Sequence, residues 1–144
     1  MTMNTTDHFG VLLHEVARSW RTELDRRLRH LGLSQSQWLV LIKLPEEGLT
    51  QTALARKVGI EGSTLVRLLD RLQANGWIER RDVLGDRRAK RVVPTAKAKT
   101  LQHEVTVIAQ ALRERLLAGI DPARVAIAAE VLSQLRQKLE NLHD

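Results

Sequence analysis

A chain of 144 residues with 43% hydrophobic and 28% charged side chains can bury a core, as one domain with or without helical extensions. It has no cysteine, which excludes a disulfide framework and thiol chemistry, and its longest apolar runs, WLVLI and VAIAA, fall far short of a bilayer span. The net charge of +6 is concentrated between residues 61 and 99, where ten Lys/Arg face five Asp/Glu; such a patch suits a polyanionic partner, the alternative being a solvated basic face.

Phe9, Leu13, Val16, Trp20, Leu24, Leu28 and Leu31 recur at three- and four-residue steps, the stripe of a long amphipathic helix that Gly32 ends. SQSQ at 34–37 reads as a capping box with Ser34 as cap, opening a helix through WLVLI that Pro45 and Gly48 close. Thr50 caps a short helix, QTALARKV, interrupted by Gly59. A further helix runs from Glu61 to Asn75 with Leu65, Leu68, Leu69 and Leu72 on one side and Gly76 as its stop. WIERRD and KRVVP read as two short strands around a VLGDRRA turn. Beyond Thr95, Leu101, Val105, Ile108, Leu112 and Leu116 form one helical stripe. Gly119, Asp121 and Pro122 break it, and Val125, Ala128, Val131, Leu135, Leu139 and Leu142 form another. The fold expected is mainly α with a small β-hairpin.

Within residues 51–69, Ala55, Gly59, Leu65 and Leu68 have the spacing of a helix-turn-helix. A small residue sits where the helices cross and a glycine takes the turn. The free face of the second helix offers Gly62, Ser63, Thr64, Arg67 and Arg71. Small residues at its start permit close approach to a phosphate backbone, and Arg67 is long enough for guanine edges in a major groove. Helical hairpins with no nucleic-acid role can carry the same spacing. The adjoining hairpin weighs against that reading, because it carries Asp86, Arg87, Arg88, Lys90 and Arg91, and a helix-turn-helix followed by a basic hairpin is a winged helix. A wing of this kind lies over a minor groove, whose negative potential favours arginine. Asp86 is expected to pair with a neighbouring cation and shape the loop.

The segment GIEGSTLVRLLDRLQANGWIERRDVLGDRRAKRVVPTAKAK resembles the core of the MarR family of bacterial winged-helix regulators and is most similar to its SlyA branch; EVARSWRTELDRRL and LGLSQSQWLVL resemble that branch's first two helices. The resemblance implies a homodimer on a palindromic promoter site of double-stranded DNA, with Arg67 of the recognition helix and Arg88 of the wing as contacts. It also implies a small aromatic carboxylate effector held near Arg18, Ser36 and Trp38, against the plainer reading that Trp38 is core and Arg18 is surface. Ile42 stands where a polar residue would help such a ligand. Pro94 replaces the family's usual aliphatic residue before Thr95, and Glu61 is a weaker helix cap than Ser or Asp.

The division expected is an N-terminal dimerisation helix in residues 1–33, a winged helix-turn-helix DNA-binding core in 34–95, and C-terminal dimerisation helices in 96–144. Within the core, the helix-turn-helix occupies 50–75 and the wing 77–94. The outer helices carry more apolar surface than so small a core covers, and a twofold mate would bury it. Helices wrapped on their own domain are the alternative. HEVAR at 14–18 is similar to a zinc-protease helix, but Arg18 replaces the second histidine. No nucleophile elbow, phosphate-cradling loop or metal-ligand spacing occurs, so no catalysis, metal or cofactor is expected. With no tyrosine and one phenylalanine, a single-strand stacking platform is not expected. No leader or membrane segment is evident, and a cytoplasmic protein is expected. A winged helix used only for protein contacts is the competing function.

Overall fold

The structure, a computed structural model, describes residues 4–143; within them, nothing of the side chains of Arg87 and Arg88, both assigned to the wing above, is described. The chain forms two compact units, Met1–Ala109 and Gln110–Asp144.

In the first unit, α1 (Thr5–Leu28) tightens into a 3-10 turn at Arg29–Leu31 and stops at Gly32, whose φ of 72° a side chain would resist. The stripe read from the sequence divides along its length. Leu28 is buried, with Leu24 and Leu31 packed beside it, whereas Phe9, Leu13 and Val16 are exposed. The next helix, α2 (Gln35–Lys43), starts at the expected capping box: Ser34 Oγ accepts from the Gln37 N–H at 3.2 Å, and Gln37 Oε1 accepts from the Ser34 N–H at 2.9 Å. Its last carbonyls are satisfied from far along the chain. Gln102 Nε2 donates to Leu41 O at 2.7 Å and to Leu44 O at 2.8 Å.

A two-residue strand, β1 (Leu49–Thr50), precedes α3 (Gln51–Val58). Thr50 belongs to the strand and also caps the helix, its Oγ1 accepting from the Ala53 N–H at 3.2 Å. Gly59 (φ 76°) turns the chain into α4 (Gly62–Ala74). Leu54, Leu65, Leu69 and Leu72 are buried, with Ala55, Val58 and Leu68 packed against them, and these residues seat α4 over α3.

Strands β2 (Ile78–Val83) and β3 (Asp86–Pro94) form the hairpin, and β1 pairs with β3 on its other side, giving an antiparallel sheet of order β1-β3-β2. Two expectations change here. The hairpin is part of a three-stranded sheet, since Leu49 and Thr50 pair with Val92 and Arg91. The VLGDRRA turn shrinks to Leu84 and Gly85: Val83 pairs with Asp86, so Asp86 through Ala89 are strand rather than loop. Gly85 at φ 86° closes this tight reversal; regular pairing runs from Ile78–Pro94 to Asp82–Lys90, and the register then shifts between Asp82 and Val83 before the Val83–Asp86 pair. Pro94 is tolerated because β1 reaches only to Val92, which leaves that side of Pro94 unpaired.

The central helix α5 (Ala96–Leu117) begins at Thr95, whose Oγ1 donates to Gly76 O at 2.7 Å and accepts from the Ala98 N–H at 3.3 Å. Trp38, Leu41, Ile78, Val92, Leu101 and Val105 belong to the one core of this unit. In the second unit, Gly119 (φ 80°) turns the chain. Asp121 Oδ1 accepts from the Ala123 N–H at 3.0 Å, and Pro122 occupies the first turn of α6 (Pro122–Glu140). That helix has no buried residue; Ile127, Val131, Leu132 and Leu139 are all exposed. No described helix is long and apolar enough to cross a membrane.

Candidate nucleic-acid interface

On α4 the helical period separates two faces. Leu65, Leu69 and Leu72 point into the core, and Gly62, Ser63, Thr64, Arg67 and Arg71 are all exposed. Among the described residues neither Arg67 nor Arg71 has a hydrogen-bond or ion-pair partner, so both guanidiniums remain available to an external acceptor. Glu61 precedes the helix and makes no side-chain cap bond. Its charge suits the helix dipole, while the first backbone N–H groups of α4 lack a capping side chain.

Two clefts border this face. One, of about 610 Å³, lies between α3 and α4 and is lined by Gln51, Thr52, Arg56, Glu61, Gly62 and Val66 among others. It adds Gln51, Thr52 and Arg56 to the residues singled out from the sequence. Their signal was present, since Thr50 as cap places Gln51 and Thr52 in the first turn of a helix. The other cleft, of about 320 Å³, runs between the start of α2 and α4 and brings Ser34, Ser36, Thr64, Arg67, Leu68 and Arg71 together.

The cations of the hairpin fall into different states. Lys90 pairs with Asp82 directly across the strands. Arg91 is half-buried, and its Nη1 donates to Gly48 O at 3.0 Å and Glu47 O at 3.3 Å, which ties β3 to the loop before β1. Arg81 pairs with Glu79 at 2.9 Å. Asp86 is exposed and is not without a partner. Arg80, which the sequence reading passed over, donates from Nη2 to Asp70 Oδ1 and from Nε to Gln73 Oε1, both at 2.6 Å, and so joins β2 to the last turns of α4. The alternation in IERRD carried a hint of this, because Arg80 shares its strand face with buried Ile78.

The residues assigned to an effector are dispersed in character. Trp38 is only 1% exposed, and its indole N–H donates to Asp25 Oδ1 at 3.0 Å. Arg18 is exposed on α1, and Ser36 is exposed on α2 in the smaller cleft beside Arg67 and Arg71. Neither described cleft includes Arg18 or Trp38 in its lining. No group of three or more His, Cys, Asp or Glu among the described residues is arranged to hold a metal.

Comparison with known proteins bears on the same segment. The MarR family pattern matches residues 31–89. The crystal structure of the transcriptional regulator PA3341 is similar at 48% identity over 92% of this chain and 98% of its own, with a TM-score of 0.84. CouR from Rhodococcus jostii RHA1, crystallised bound to p-coumaroyl-CoA, is similar at 24% identity over 93% of this chain and 95% of its own, TM-score 0.78. The transcriptional regulator SlyA is similar at 21% identity over 91% and 93%, TM-score 0.81. At such identities these last two share the fold with this chain.

Proposed function

The chain belongs to the MarR family of winged helix-turn-helix transcriptional regulators, and from that premise we propose that it binds a palindromic promoter site on double-stranded DNA as a cytoplasmic homodimer. In this reading α4 enters the major groove, where Arg67 reaches base edges and Ser63, Thr64 and Arg71 engage the backbone. Arg88 is the wing's cation for the adjoining minor groove. One observation carries the proposal: a helix seated by its leucines presents two guanidiniums without partners among the described residues, on a family-typed scaffold.

The protein's own ion pairs refine the role of the wing. Lys90 and Arg91 have partners within the protein, Asp82 and the carbonyls of Glu47 and Gly48, and these contacts hold the hairpin in shape and position. Support for the twofold mate comes from apolar side chains exposed on each outer helix considered by itself: Phe9, Leu12 and Val16 on α1, and Ile127, Leu132 and Leu139 on α6. Residues 1–33 and 96–144 are accordingly the dimerisation elements around a DNA-binding core of 34–95. The two recognition helices would then stand about 34–36 Å apart, one turn of duplex. An effector with an aromatic ring and a carboxylate is the regulatory part of the reading. Arg18 would supply the charge and Ser36 a hydroxyl, while Trp38, buried and with its indole N–H bonded to Asp25, belongs to the core, as the plainer reading has it.

A salt titration on duplexes recovered from the genome tests the proposal. Affinity should fall linearly in log–log form with salt, with a slope that counts phosphate contacts. Arg67→Ala and Arg88→Ala should each cost about 1–3 kcal/mol of affinity without changing the dimer. Unchanged affinity in both variants refutes the assignment of these contacts.

A further inference from the structure

The outermost point of the β2–β3 hairpin is a leucine. Leu84, the first residue of the two-residue turn, is fully exposed at 103%; the next most exposed large apolar side chain among the described residues, Leu142, stands at 69%. Its surroundings are charged. Arg81 and Asp82 on β2, and Asp86 and Lys90 on β3, are all exposed, and Arg87 and Arg88 follow in sequence. The fold itself places no demand on this side chain, because the turn is closed by Gly85 (φ 86°) and by the Val83–Asp86 pair. Single exposed leucines are ordinary on protein surfaces. This one occupies the position that first meets whatever the hairpin touches.

We propose that Leu84 is an apolar contact residue of the wing, packing against the deoxyribose walls inside the minor groove and thereby reading groove width. The inference rests on the duplex-binding reading above. The chemistry of the groove matches the arrangement: phosphates line the rims, and the sugar edges between them are apolar. The cations of β3 suit the rims, and an aliphatic tip suits the apolar sugar edges between them. In a narrow A·T-rich groove the isobutyl group touches both walls, and in a wider groove one, so the contact favours narrow-groove sequence at the position under the wing.

The test compares wild type, Leu84→Ala and Leu84→Met on fluorescent duplexes that wild type selects from a random-sequence pool, over a salt series. Leu84→Ala should bind about five- to tenfold more weakly, as expected for a partly buried aliphatic group. Its salt slope should match wild type, since no phosphate contact is removed. Leu84→Met should bind about as tightly as wild type, and all three proteins should share one melting temperature because the side chain is solvent-exposed. Equal affinity of Leu84→Ala and wild type overturns the inference and leaves duplex binding standing. A loss accompanied by a shallower salt slope also overturns it, because that would report displaced cations rather than a lost apolar contact. Failure of wild type to enrich any duplex at low salt overturns both readings.

Discussion

Replacing Arg80 with alanine removes the side chain that joins β2 to α4 through both Asp70 and Gln73. Fully buried, hydrogen bonds to a charged donor contribute about 1.5–3 kcal/mol each. The arginine is 22% exposed and Asp70 57%, so water competes for the carboxylate and the ion pair itself falls to about 0.2–1 kcal/mol. Adding the Gln73 bond and the packed stem of the arginine brings the expected loss to about 1–2 kcal/mol. Urea unfolding followed by circular dichroism measures it, at one fixed protein concentration because the stability of the proposed dimer would depend on concentration. A double-mutant cycle with Asp70→Ala isolates the pair and should show a coupling of about 0.5–1 kcal/mol. Coupling within about 0.3 kcal/mol of zero would refute the reasoning, since independent sites add to within that margin. Duplex binding measured without urea should weaken as well, because the bridge fixes the angle between α4 and the wing.

Gly48→Ala should be strongly destabilising, by upwards of about 2 kcal/mol, since a Cβ there would sit 2.4 Å from Val92 O on a backbone at φ 81°; a melting curve close to wild type would contradict the close approach of this loop to β3. Trp38→Phe should cost about 1–2 kcal/mol in urea unfolding, from the indole bond to Asp25 and the volume lost in the core. An equal midpoint would mean that Asp25 finds a replacement donor.

Much of the helical framework could be read from local chemistry. Ser34 with Gln37, Thr50, Gly59, Gly76, and Asp121 with Pro122 each mark a helix end through contacts spanning a few residues, and each stands where the spacing placed it. The outward polar face of α4 was legible for the same reason, because its period follows from the leucines beneath it. What escaped reading depends on partners distant in sequence. β1 is two residues long, too short to show an alternation, and exists only because Leu49 and Thr50 meet Val92 and Arg91. The tight turn at Leu84 and Gly85 depends on cross-strand pairing that a run such as DRRA does not announce. Arg91 looks like one more wing cation until the carbonyls of Glu47 and Gly48, more than forty positions earlier, are found beneath it. Charge counting along a chain records how many cations exist and says nothing of which are already occupied.

The anchoring of Arg91 on Glu47 and Gly48 has a practical corollary for protein engineering. A chimera that borrows this segment from Thr50 onward would sever the guanidinium from its two carbonyl anchors and strip β3 of its short companion strand. Splice points drawn ahead of Glu47 and beyond Thr95 keep those attachments inside the transplanted cassette.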